Sequence, residues 1–79
     1  MMFKEKIGEL PVGTEFFSRP LGYQWFRRIK DKDGQVRALR EMDEETIVFK
    51  PETLVETSCD MILRAQERNR LQGRHPLHA

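Results

Sequence analysis

Residues 23–30 read YQWFRRIK. Three aromatic side chains sit against three cations in a stretch the length of a β-strand. In extended backbone Tyr23, Trp25, Arg27 and Ile29 fall on one face, and Gln24, Phe26, Arg28 and Lys30 on the other. The first set is the more apolar and is expected to face the core, with the arginines outside. The same residues admit a second use, because flat rings offer bases a stacking surface and cations meet phosphates.

Working outward, DKDG at 31–34 is a hairpin signal, since Gly34 takes positive φ without strain. QVRALR at 35–40 is the return strand and EMDEE at 41–45 an acidic turn. TIVFK at 46–50 is a strand that Pro51 ends, and TLVE at 53–56 is a last short one. Upstream, Phe3, Ile7 and Leu10 fall at helical spacing and suggest one helical turn. Pro11 and Gly13 mark a turn before the short strand TEFFS at 14–18, and Pro20 and Gly22 mark the loop SRPLG. Downstream, Thr57 or Ser58 offers an N-cap and Asp60 favours the first turn. MILRAQERNRLQ at 61–72 is rich in helix formers, with its apolar residues crowded at the start, and Gly73 and Pro76 end it.

Seventy-nine residues bound the chain to one domain with a thin core, too small to enclose a deep cofactor cavity. The expected organisation is a small β-barrel with a short lead-in over 1–58, a helix over 59–72 and a frayed tail over 73–79. Five short strands with tight loops suggest a mainly β, strongly bent antiparallel sheet, a five-stranded SH3-like barrel with one C-terminal α-helix. Its expected core is Ile7, Leu10, Val12, Phe16, Trp25, Ile29, Val36, Ala38, Ile47, Phe49, Leu54 and Met61.

ELPVGTEFF, a Trp-bearing strand and ETIVFKPETLVE together resemble small uncharacterised proteins encoded by bacteriophages and other mobile elements. The matching motifs are L-P-x-G-T-x-F and F-x-P-x-T-L-V, which mark turns and core positions. The resemblance implies a compact SH3-like β-barrel, carries no catalytic residue across and leaves the helical tail outside.

The chemistry the residues offer is binding. Cys59 is the single cysteine, so no intrachain disulfide forms. MMFKEKIGE has no apolar run of the signal-peptide kind, and no window nears the roughly 20 apolar residues of a membrane span. A protein of the (bacterial) cytoplasm is expected. There is no phosphate-binding glycine motif. Cys59, His75 and His78 do not make a four-ligand zinc site or an activated thiol. No enzyme, cofactor or metal is expected.

The net charge of +1 hides an uneven distribution. Residues 19–40 carry seven Lys or Arg and two Asp, and residues 41–56 carry six acids and one Lys. Such blocks neutralise one another across strands or steer a partner.

Three functions follow as expectations. The first is a protein-binding module, an accessory or inhibitor of a larger host or phage complex. It would use Asp43, Glu44 and Glu45 with Arg64, Arg68 and Arg70 of the helix, and Arg74, His75 and His78 would extend a basic arm. The second is a nucleic-acid-binding barrel using Tyr23, Phe26, Arg27, Arg28, Lys30, Arg37 and Arg40. The third is a barrel that self-assembles through exposed edges and the helix into a symmetric homodimer.

Overall fold

The computed structural model describes residues 1–20, 22 and 24–73. Tyr23, Arg74, His75 and His78, and with them most of the expected tail, lie outside the described residues.

The chain forms β1 (Met2–Lys6), a 3₁₀ turn (Ile7–Glu9), β2 (Glu15–Ser18), β3 (Gln24–Lys32), β4 (Gln35–Arg40), β5 (Thr46–Phe49), β6 (Leu54–Ser58) and α1 (Cys59–Gly73). The strands make one antiparallel sheet in the order β1-β6-β2-β3-β4-β5. This corrects the expected five-stranded barrel in two ways. The lead-in is a sixth strand, which pairs with β6 from Met2↔Ser58 to Lys6↔Leu54. Only at Ile7 does it become a helical turn, of the 3₁₀ type. The sheet is also open. Both edges of β6 are occupied, by β1 and by β2, so β5 has no edge of β6 to close against.

Local chemistry explains the elements. Asp33 and Gly34 take φ of 54° and 75°, the two left-handed positions of a tight hairpin turn whose twist suits the flanking strands. Glycine is also required at Gly8, whose N–H donates to the Pro51 carbonyl at 2.9 Å. A methyl group there would lie 3.0 Å from both Cβ and O of Pro51. This contact and the Ile7 N–H to Thr53 carbonyl bond at 2.9 Å tie the lead-in to the β5–β6 turn. Helix α1 is capped by Ser58, whose Oγ accepts from the Met61 N–H at 3.2 Å, one of the two expected caps. Its early turns pack as expected, with Ile62 against the core and Ala65 buried. The attachment reaches further than expected, because Asn69 Nδ2 donates to the Val12 carbonyl at 2.9 Å.

The core gathers Ile7, Leu10, Phe16, Phe26, Val36, Ala38, Phe49 and Val55. Phe16 stacks on Phe26 at 5.4 Å, and Phe49 meets both rings edge-on at 5.8 and 5.6 Å. Each such pair adds about 0.5–1.5 kcal/mol beyond burial.

Strand β3 therefore faces the opposite way from the expectation. Phe26 and Arg28 point inward, while Trp25 is 40 % exposed. Arg28 makes the inversion possible. It is only 5 % exposed, yet its Nε donates to the Ile7 carbonyl at 3.2 Å and its guanidinium pairs with Asp31 at 2.8 Å. A buried cation is tolerable when its donors are filled in this way. Leu54 and Val12 are likewise exposed, contrary to expectation, and Val55 takes the core position. Ile29 and Met61 are half-buried, and Ile47 packs against the core from its margin.

Candidate functional site

Directly opposed residues of antiparallel strands share a face, so the register defines what the sheet turns away from its core. Phe17 lies opposite Trp25 and Glu56, and Glu15 opposite Arg27. Arg27 lies opposite Leu39, and Arg37 opposite both Ile29 and Val48. The outer face is thus a strip of Phe17, Trp25, Ile29, Leu39 and Val48 threaded with charges. Val48 is 53 % exposed, and Leu54 on β6 is 55 % exposed. The Phe17 and Trp25 rings pack at 5.4 Å with a 60° tilt, which fixes the indole as a platform.

Of the residues expected to bind nucleic acid, the described ones are not brought together on one face. Phe26 is enclosed in the core and has no face to offer a base. Arg28 is buried beside it, and Arg40 shares its side of the sheet, opposite Phe26. Arg40 is occupied by Asp43, donating from Nε at 3.0 Å and from NH2 at 2.7 Å. Arg37 donates twice to the Lys30 carbonyl, at 3.1 and 3.0 Å, where β3 bulges between Ile29 and Lys32. Arg27 lies 3.7 Å from Glu41. Lys30 is exposed. The outer face keeps Arg27 two residues along β3 from Trp25, with Glu15 and Glu41 around it, while Arg37 lies further along, opposite Ile29.

The acidic turn is also more structural than expected. Besides holding Arg40, Asp43 accepts from the Glu45 N–H at 3.2 Å. Glu44 sits at φ 59° and donates its N–H to the Arg40 carbonyl at 2.7 Å. Glu44 and Glu45 remain exposed. On α1, Arg70 pairs with Glu67 at 2.5 Å. Arg64 and Arg68 line a shallow shelf with Asp60, Leu63, Glu67 and Leu71. All six belong to one helix, so among the described residues the shelf has no second wall to enclose a ligand.

The electrostatics follow these contacts. The hydrogen bond from Arg40 holds the Asp43 carboxyl below the ordinary carboxylate range, and Arg40 is raised in turn. Glu41 is held above that range, first by desolvation, then by a hydrogen bond and charge from Glu15, while Arg27 pulls it back. Glu15, Arg27 and Glu41 form a small charge cluster beside Trp25. No group of three or more His, Cys, Asp or Glu among the described residues is arranged to hold a metal ion. Cys59 is exposed at the start of α1. No helix among the described residues is long and apolar enough to cross a membrane.

Sequence reasoning missed Phe17, Leu39, Val48 and Leu54 as surface residues. The available signal was EFFS, in which Phe16 and Phe17 must face opposite ways, so that one of the two rings needs a partner outside the core. Comparison with known protein families, with curated proteins and with solved structures returned no match.

Proposed function

We propose that this protein is a non-enzymatic protein-binding module, an accessory or inhibitor of the phage and mobile-element kind its motifs resemble, occupying a surface of a larger protein complex in a bacterial cytoplasm. The observation that carries it is Trp25, exposed on the outer face and braced by Phe17. Apolar side chains left on an outer face among charges of both signs suit a protein-interaction surface, and exposed Trp is among the residues that dominate such interfaces. Arg27, the cation next to Trp25 on this face, is matched by Glu41, which suits a protein partner better than a polyphosphate. Glu44 and Glu45 supply the acidic end of the surface, while Asp43 holds their turn.

The test compares the folded wild type with Trp25→Ala and Val48→Lys as bait for proteins of a bacterial lysate, alongside titration of Trp25 fluorescence with single- and double-stranded oligonucleotides. A partner retained by the wild type and lost by both variants is expected, with oligonucleotides leaving the emission unchanged. Quenching by oligonucleotides with a steep dependence on salt, near 0.9 per phosphate on duplex DNA, overturns the reading in favour of nucleic-acid binding.

A further inference from the structure

We infer that the outer face carries a peptide groove at its β1–β6–β2 end, and that its occupant is an extended apolar segment of a partner protein bearing a carboxylate. This rests on the protein-binding reading and specifies its partner. The groove has a volume of about 280 Å³ and lies among Lys4, Phe17, Arg19, Pro20, Leu54 and Glu56. That is just below the roughly 300 Å³ at which small-molecule pockets begin, so it suits a few side chains of a peptide better than a metabolite.

The groove is assembled from three adjacent strands and a loop. Phe17 of β2 and Leu54 of β6 supply apolar surface. Pro20, just beyond β2, adds a rigid ring, and Trp25 braces Phe17 from the neighbouring strand. Aromatic- and proline-lined grooves favour extended segments, particularly the polyproline type, which are already stretched and lose little entropy on docking.

Charge gives the occupant its sign. Among the described residues one carboxylate lines the groove, Glu56, and Arg19 takes it at 2.6 Å. Lys4 stands opposite Glu56 on β1, is exposed, and enters no ion pair among the described residues. Among the described residues the groove therefore has one cation in excess beside an apolar floor. An acidic side chain on the docked segment answers Lys4, whereas a basic segment meets Lys4 and Arg19 together. One surplus charge over Phe17, Pro20 and Leu54 fits a peptide with an acid, and falls short of the several matched cations that a nucleic-acid backbone needs.

The experiment selects a displayed library of random dodecapeptides on the immobilised full chain, then measures each selected peptide by titration calorimetry against the wild type and four variants. Leu54→Asp and Lys4→Glu alter the groove at exposed positions, and circular dichroism confirms that each remains folded. Val48→Lys alters the strip beyond it, and Trp25→Ala removes the strip's ring that also braces Phe17. Enrichment of proline- or leucine-bearing sequences with an acid is expected, with affinity reduced about tenfold or more by Leu54→Asp, the scale of a lost interface anchor. Lys4→Glu is expected to weaken the acidic peptides severalfold and to reverse the preference when selection is repeated on it. Peptides that tolerate Leu54→Asp and Lys4→Glu but lose binding to Trp25→Ala or Val48→Lys overturn the groove and leave the protein-binding face standing. Peptides indifferent to all four variants overturn both. An absence of enrichment, an enrichment of basic sequences, or displacement of the peptides by oligonucleotides overturns the groove.

Discussion

Truncating Phe26 to alanine removes a ring stacked on Phe16 and edge-on to Phe49, so a cost of about 3–5 kcal/mol is expected. Truncating the adjacent Trp25 removes an exposed ring with one aromatic neighbour, Phe17, among the described residues, and about 0.5–1.5 kcal/mol is expected. Urea midpoints of the two variants measure the difference, and equal losses would contradict the orientation of β3. Two carboxylates make opposite predictions with pH. Asp43 is depressed in the folded state, so its stabilisation is present above its unfolded value and disappears as pH falls through the folded one. Asp43→Asn is therefore expected to be less stable than the wild type at neutral pH, with the gap closing in acid. Glu41 is raised, so its contribution is full below the unfolded value and is lost as pH rises through the folded one. Glu41→Gln is expected to be the more stable protein at neutral pH, with its advantage vanishing below the ordinary glutamate range near about pH 4.3. Midpoints taken from about pH 3 to about pH 8 should show these opposed trends.

At the scale of elements, the contact between the 3₁₀ turn and Pro51 is a narrow fit. Gly8→Ala forces a methyl group against the Pro51 carbonyl and Cα, and overpacking of this kind costs about 1–3 kcal/mol. Chemical denaturation reads that loss, and an unchanged midpoint would show that the turn yields freely. The elements differ in how plainly the chain announces them. The β3–β4 hairpin, β4, β5 and the capped helix were legible, because each depends on local chemistry: Asp33-Gly34 at the turn, alternation in QVRALR, branched residues in TIVF, Ser58 at the cap. Strand β1 was not, because Phe3, Ile7 and Leu10 also fit a helix, and its partner β6 lies some fifty residues away. The face of β3 was not, because a strand with arginine on both faces gives no clean alternation. Arg28 disguised the inner face as polar, and what makes it an inner residue is the Ile7 carbonyl, which no local pattern foretells. The candidate site inherits that error: choosing Trp25 for the core hid the surface that β2, β3, β4 and β5 build together. The pairings of Arg40 with Asp43 and of Arg37 with the Lys30 carbonyl were also hidden, and they remove cations that a charge count leaves available.

At the scale of the molecule, six strands share one open sheet whose inner side is capped at one end by α1, and whose outer side keeps an aromatic-aliphatic strip. The two sides tolerate different changes. The double variant Glu44→Lys/Glu45→Lys alters exposed charges outside the core and is expected to shift stability by no more than about 0.5 kcal/mol. It is also expected to weaken the captured partner if the acidic turn borders the interface. Thermal melting and the lysate assay measure the two effects separately, and unchanged capture would confine the interface to the strip and groove. The order β1-β6-β2 has a further consequence for a chain made from its N-terminus. Residues 2–6 are translated before the other strands, but their strand partner is the last strand of the sheet to be made. Hairpin β3–β4 can form while β1 still has no neighbour, and β1 can join only when Leu54–Ser58 arrives to seat itself between β1 and β2. While the strands between them are being made, β1 waits unpaired, and the alternating lysines and glutamate of MFKEK guard that waiting strand against pairing with another nascent chain.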